Sequence, residues 1–358
     1  MELPADKQSI LHCIDSLGLG GAEVLLRDTL PLLTGFNNIV CYLHPPESLA
    51  TDFKDYPLYC LNYSSKISAF KAVRELKKII KNHRVSIIHS HLFYSTLLSR
   101  LACPKEVKLF FTIHNILSRD AFEVNRFSLI AEKLTYKKKH HIIAVSQEAL
   151  NDYNKWVGIK GKADVLYNYV SQKFFDLQYN YDRQTNDSFK LVAVGNLRRQ
   201  KNYPALLQAF ELVKDLPLSL DIFGTGDLWE ELQNIIDRKQ LKVRLMGRVS
   251  DVSKMLMDYH AYIMPSLFEG FGIAPMEAMA SGMPVLLSKL SVFKELGGDI
   301  PIYFDPADPE YIANAIKYTY FNWNEVKAKA KKGKELVYKK VSKETYFVKL
   351  KEIYQSGF

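Results

Sequence analysis

Long apolar runs are missing from this chain. No window approaches the ~18 uninterrupted apolar residues that a membrane-crossing helix needs. The polar start, Met1 to Ile10, has neither the basic opening nor the apolar stretch of a secretory signal. Any membrane role is therefore expected to be peripheral. Cysteine is scarce. Cys13, Cys41, Cys60 and Cys103 are scattered and form no C-x-x-C pair, so no zinc site and no disulfide framework is expected. All four read as buried apolar thiols, and reduced thiols fit the cytoplasm. Gly18-x-Gly20-Gly21 lacks the G-x-G-x-x-G spacing, which argues against a pyridine-nucleotide dehydrogenase. Short fixed-period repeats are absent too.

What is present is the composition of an ordinary globular protein. The 358 residues are 47% apolar and 24% charged. At roughly 100–200 residues per domain, that length suggests two domains. Net charge is +9, an excess that suits an anionic partner such as a nucleotide diphosphate or an acidic membrane face. Nucleic-acid binding would rest on charge alone, without a motif, and is not expected.

Short apolar runs alternate with helical patterns. Strands are expected at Ile10–Ile14, Ile39–Leu43, Leu58–Leu61, Ser86–His89, Lys108–Ile113 and His141–Val145. Helices are expected at Ala22–Leu33, Ser68–Lys81, Leu92–Leu101 and Asn125–Lys137. The polar stretch Tyr179–Ser188 reads as a linker. A second series follows, with strands at Lys190–Val194, Leu218–Phe223, Val243–Met246, Ala261–Met264 and Pro284–Leu287. Its helices fall near Tyr203–Lys214, Asp227–Lys239, Val252–Asp258 and Pro275–Ala280, and the tail from Pro309 to Tyr354 is helical in pattern. The expected class is α/β, with two Rossmann-like domains at 1–180 and 188–320 and helices at 321–358 that cross back to the first. Doubly wound sheets bind ligands at the carboxyl ends of their strands. If those edges face each other, the site lies in a cleft between the domains.

The segment from Pro265 to Ala280 carries the most chemistry. It follows a strand and opens a helix. Gly270 and Gly272 let backbone approach a ligand, and Pro275 suits a first helical turn. Free N–H groups from Phe271 through Ile273 to Ala274 would point at an anion, and a diphosphate is the natural guest. Glu277, expected in the first turn, could accept hydrogen bonds from vicinal hydroxyls. Its plainer role is to complement the helix dipole. Glu269 would reach further into the cleft.

This segment resembles the E-x7-E motif of retaining glycosyltransferases of the GT-B fold, family 4. Other places agree. Gly195 to Asn202 resembles the family's G-R-L-x-x-x-K-G loop, with Lys201 at the lysine. Asn196 stands where the family has arginine, and Arg198 or Arg199 is left to supply that charge. Leu19-Gly20-Gly21-Ala22-Glu23 resembles the family's G-G-A-E loop. His114 ends a strand, at the position of a histidine near the transferred sugar, with His89 and His91 as rivals. Gly247 to Asp251, with Val249, resembles the base-reading loop, although Asp251 reads better as a helix N-cap. Asn168 resembles the asparagine of the interdomain N-G-V-D, without its glycine.

The resemblance implies transfer of a sugar from a nucleotide-diphosphate sugar to a glycan or lipid-linked acceptor, with retention of configuration, in bacterial surface polysaccharide or glycolipid assembly. His114, Glu269 and Lys201 would serve the chemistry. Gly20, Gly21, Asn196, Arg198, Arg199, Lys201, Val249, Gly270, Phe271, Gly272, Ile273 and Glu277 would hold the sugar donor. No D-x-D occurs, so no metal is expected. Lys201, a nearby arginine and the helix start would neutralise the diphosphate. A nucleotide-sugar epimerase of the same fold and a non-catalytic binding protein are the alternatives. One surface stands apart. Lys71, Arg74, Lys77, Lys78 and Lys81 share a helical face, with Lys137 to Lys139 adding charge, as for an anionic membrane at the cytoplasmic side. Phe70, Val73, Leu76, Ile79 and Ile80 are expected on the opposite, buried face.

Overall fold

The structure, a computed structural model, describes residues 7–119, 126–183 and 188–356. Met1–Asp6, Asn125 and positions 184–187 of the expected linker lie outside the described residues. The chain divides into two compact units. The first runs to Leu166 and takes in the residues from Phe347 onward; the second is Tyr167–Tyr346. The division therefore falls before the Tyr179–Ser188 stretch. Tyr179 is buried in the second unit, its hydroxyl donating to the carbonyl of His260 at 2.6 Å.

The first unit holds seven parallel strands: β1 (Ser9–Ile14), β2 (Asn37–Tyr42), β3 (Leu58–Cys60), β4 (Val85–His91), β5 (Lys108–Ile113), β6 (His140–Ala144) and β7 (Ala163–Val165). Their order is β3-β2-β1-β4-β5-β6-β7. The second holds β8 (Phe189–Val194), β9 (Leu218–Phe223), β10 (Val243–Gly247), β11 (Ala261–Met264), β12 (Val285–Ser288) and β13 (Ile302–Phe304), in the order β10-β9-β8-β11-β12-β13. Every pairing is parallel, and helices connect most of the strands. Helices on both faces bury such strands from both sides, so β1 reads as a continuous run, SILHCI, with no exposed residue. In each sheet the strand order reverses direction beside the first strand, between β1 and β4 and between β8 and β11. The crevice at such a point is where open α/β sheets bind ligands.

One face of the first sheet packs Leu11, Cys13, Ile88, Leu109 and Phe111 against Leu76 and Ile80 of the helix Lys66–Asn82. That helix starts at Ser65, whose Oγ accepts from the Ser68 amide while Ser68 Oγ accepts from the Ser65 amide at 2.9 Å. Phe70 departs from expectation, being 85% exposed. It precedes buried Ala72 by two positions, about 200° around the helix, which puts it on the outer face. Leu76, Ile79 and Ile80 are buried as expected, and Val73 is half-buried. The cysteines also split. Cys13 and Cys41 are buried on adjacent strands, whereas Cys60 on the edge strand β3 and Cys103 past a helix end are half-buried; all four are free.

The tail forms three helices, Pro309–Phe321, Trp323–Val341 and Lys343–Ser356. The last ends in the first unit, where Tyr354 is buried against Phe36 and Phe110. Its carbonyl accepts from Lys108 Nζ at 3.0 Å. Among the described residues, no helix is long and apolar enough to cross a membrane.

Candidate functional site

In the second unit, the switch point between β8 and β11 gathers most of the expected residues. After β8, Gly195 continues the parallel ladder, its amide donating to the Phe223 carbonyl at 2.9 Å. Leu197 is fully buried and anchors the loop, which leaves Asn196, Arg198 and Arg199 exposed. A single 3₁₀ turn, Arg199–Lys201, ends at Asn202 in the left-handed region (φ 55°, ψ 32°). That reversal turns Lys201 back towards the chain leaving β11. Its Nζ lies 2.5 Å from Glu269 Oε1. Ser266 Oγ donates to the same oxygen at 2.6 Å. Gln200 ties the two segments together. Its carbonyl accepts from the Leu267 amide at 2.8 Å, and its Nε2 donates to the Phe268 carbonyl at 2.9 Å.

Beyond Glu269 the backbone passes through Gly270 and Phe271 to Gly272, the N-cap of the helix Ile273–Ala280. Gly272 sits at φ 81°, and a Cβ there would stand 2.4 Å from Phe293 Cε1. Glycine is required on both counts. The amides of Phe271, Gly272, Ile273 and Ala274 donate to no acceptor among the described residues, and Pro275 has no N–H to offer. The first amides of any helix lack intrahelical acceptors, and a start left open in this way can hold an anion. Glu277 falls in the second turn rather than the first, because the helix starts only at Ile273 and 3.6 residues fill a turn. Dipole complementation at the first turn is thus not its role. Its carboxylate makes no hydrogen bond among the described residues and is half-buried. Burial pushes its pKa up to about 8, with Lys173 opposing and Asp251 adding to the rise.

Asp251 sits one residue before the assigned cap, Val252, of the short helix Ser253–Leu256. It nonetheless accepts from the Ser253 amide at 3.2 Å, so it does a cap's work. Its hydrogen bond from Lys173 Nζ, at 2.8 Å, and a second from Ser253 hold its carboxyl down at about 2. Val249 is half-buried just past the end of β10, two strands from β8.

The remaining residues lie in the first unit, at its own switch point. Gly20 caps the helix Gly21–Thr29, and a Cβ on Gly20 would stand 2.3 Å from Glu23 Oε2. Glu23 is buried and accepts from Ser16 Oγ at 3.3 Å. Asp15, at the end of β1, was not marked by the sequence. It receives the amides of Ser95 at 2.6 Å and Tyr94 at 3.4 Å, and so caps the helix Phe93–Ala102. Burial raises the pKa of both carboxyls, against those bonds.

His114 follows β5, and its Nε2 lies 3.1 Å from Nδ1 of His91. The rival histidines are thus part of one arrangement. Their positions on β1, β4 and β5 put His12, His89, His91 and Thr112 on one sheet face. His89 Nδ1 meets Tyr354 OH and its Nε2 meets Thr112 Oγ1, both at 2.7 Å. Burial lowers the pKa of His12 and His114 to about 4 and puts His89 and His91 well below their ordinary value, so all four are neutral near pH 7. His12, His89 and His91 offer ring nitrogens within 4.8 Å of one another. Because both nitrogens of His89 are already engaged, this triad packs as a hydrogen-bonded layer. A pocket beside His114 is lined by Phe93, Thr96, Thr112, Glu132 and Tyr153.

Two family models match the chain. Residues 19–173 match Glycosyltransferase Family 4, and residues 181–336 match Glycosyl transferases group 1. The O-antigen biosynthesis glycosyltransferase WclY of Escherichia coli is 24% identical over 295 residues, covering 78% of this chain and 81% of the relative. A UDP-Gal:alpha-D-GlcNAc-diphosphoundecaprenol alpha-1,3-galactosyltransferase, also of Escherichia coli, is 27% identical over 289 residues and covers 71% of each. Among solved structures, Anabaena Alr3699/HepE in complex with UDP superposes with a TM-score of 0.86 at 18% identity, covering 98% of this chain and 100% of that one. With both halves matched and the two parallel sheets in place, the chain belongs to the family 4, group 1 glycosyltransferases and carries their two-domain GT-B fold.

Proposed function

We propose that this glycosyltransferase moves a sugar from a nucleotide-diphosphate sugar to a glycan or lipid-linked acceptor, with retention of configuration and without a metal, in surface polysaccharide or glycolipid assembly. One observation carries the reading. Four open amides at the start of the helix Ile273–Ala280 stand beside the Lys201–Glu269 pair, with Glu277 one turn on. The amides would take the diphosphate. Lys201 has three N–H donors, so it can keep Glu269 and still reach a phosphate oxygen. Glu277, whose carboxylate makes no hydrogen bond among the described residues, would bind the ribose diol.

Breaking the bond between sugar and diphosphate leaves negative charge on the phosphate oxygens. Fixed amides and an ammonium stabilise that charge without reorganising as it develops. Glu269, held by Ser266 and Lys201, would steady an oxocarbenium-like sugar. The acceptor would attack the face that the diphosphate leaves. Asn196 in place of arginine leaves Arg198 or Arg199 to add charge at the loop. The relatives' names support a lipid-linked or O-antigen acceptor. The basic face of the helix Lys66–Asn82, with Phe70 outermost, supports attachment to an anionic membrane at the cytoplasmic side.

The test is to offer purified protein a panel of nucleotide sugars with and without membrane extract. Nucleotide release that depends on acceptor is the expected result. Isomerised sugar nucleotide without acceptor would mark an epimerase, and tight binding without turnover would mark a binding protein.

A further inference from the structure

The pairing of His91 with His114 fixes more than a position. In a neutral imidazole one nitrogen carries the proton and the other a lone pair, so their 3.1 Å contact has two readings. If His114 Nε2 donates, the proton of His91 must sit on its Nε2. That atom is buried and has no partner among the described residues. If His91 Nδ1 donates, only a lone pair is stranded there. Orphaned buried N–H groups are rarer than under-satisfied acceptors. The neighbouring His12 supplies a precedent. Its Nε2 bonds Asn38 Oδ1 at 3.1 Å, and Asn38 Nδ2 is committed to the Leu33 carbonyl at 3.0 Å, so the amide cannot be flipped. His12 therefore donates from Nε2 and strands a lone pair on Nδ1, which is likewise buried and unpartnered. The same layer already tolerates a bare buried nitrogen.

We infer that His91 is a positioning residue, donating from Nδ1 to Nε2 of His114 and so holding His114 as a neutral N–H donor at its Nδ1, aimed at a hydroxyl of the transferred sugar. The inference rests on the reading of His114 as a sugar contact. Nδ1 of His114 makes no hydrogen bond among the described residues, and the ring is half-buried, so that donor is the one left for a ligand. His91 itself is packed against His89, with ring centroids 4.2 Å apart, and its carbonyl accepts from Ser95 Oγ in the first turn of the helix Phe93–Ala102. A hydrogen bond to the far nitrogen is the ordinary way to choose a histidine tautomer.

Long-range ¹H–¹⁵N correlation on histidine-labelled protein reads the tautomer directly, with the His114 signals assigned from H114F. The expected wild-type pattern has His114 protonated at Nδ1 and bare at Nε2. Protonation at Nε2 overturns the inference, whatever the variants do. In H91F the pattern should give way to a tautomer mixture. H91N, whose amide sits near the old Nδ1, should restore it, while H91Q should not. For the best-used of UDP-glucose, UDP-galactose, UDP-N-acetylglucosamine and GDP-mannose, H91F should lower kcat about tenfold, the scale of one hydrogen bond. KM should change little, because the nucleotide end is untouched. Equal kinetics for H91F and H91N would also overturn the positioning role. If H114F keeps full transfer, the assignment of His114 to the sugar fails, while the tautomer result stands by itself.

Discussion

Lys201→Ala should destabilise the second unit before it affects any chemistry. Glu269 is only 6% exposed, and its partner's side chain is 17% exposed, so the pair is largely shielded from water. Removing one partner of a buried pair costs about 3–5 kcal/mol, because it strands the other charge. Here the low end applies, about 3 kcal/mol, since Ser266 Oγ still donates to the carboxylate and Lys201 is partly wet. For a unit of this size, that corresponds to a fall in Tm of about 6–12 °C. Removing both charges should recover most of the loss, so K201A/E269Q should lie within about 1 kcal/mol of wild type. Urea unfolding of the wild type, both single variants and the double variant measures all four corners. The reasoning is refuted if K201A unfolds at wild-type denaturant, or if the double variant is no more stable than K201A.

Three further outcomes follow from the same geometry. Gly272→Ala combines a positive φ with a Cβ 2.4 Å from Phe293, and should cost at least about 1–3 kcal/mol of unfolding free energy and weaken nucleotide binding. The Glu277 carboxyl has its folded pKa raised from 4.5 to about 8, so the folded state keeps a proton that the unfolded chain has lost. Stability from this group is full below about pH 4.5 and declines as pH rises towards about 8; E277Q should flatten that slope in unfolding measured across the range. Phe70→Ser should weaken sedimentation with phosphatidylglycerol vesicles by up to about 2 kcal/mol, and reversing Lys77 and Lys78 to glutamate by at least about 1 kcal/mol per site. Equal binding by all three proteins would remove the membrane face.

Much of this was legible in the sequence, for identifiable reasons. Strands buried on both faces read as apolar runs, and Lys108–Ile113, Leu218–Phe223 and Ala261–Met264 match the observed bounds. The edge strands Ala163–Val165 and Ile302–Phe304 and the helices Gln172–Phe175 and Ser291–Gly297 were not expected from the sequence. The ten-residue helix Gln147–Trp156 had enough length but few apolar residues. Gly272 and Glu269 stand out at a strand-to-helix turn and Lys201 through the resemblance of its loop, and the fold brings Lys201 and Glu269 together. Ser266 and Gln200, which hold Glu269 in place, carry no spacing signal of their own. Phe70 belongs to an apolar run that 100° steps spread over both faces of the helix, so the run by itself does not define the buried face. The link between His91 and His114 depends on two strands lying side by side, which no local pattern shows.

The central claim is that a nucleotide diphosphate sits on the open amides at the start of the helix Ile273–Ala280. Amide-resolved NMR of ²H,¹⁵N-labelled protein, titrated with UDP, GDP, ADP and TDP, tests it without any acceptor. One of these nucleotides should bind and shift the amides of Phe271, Gly272, Ile273 and Ala274 most strongly, and K201A should weaken that binding. A nucleotide that saturates the protein while leaving those four signals in place would contradict the account, as would binding by none of the four.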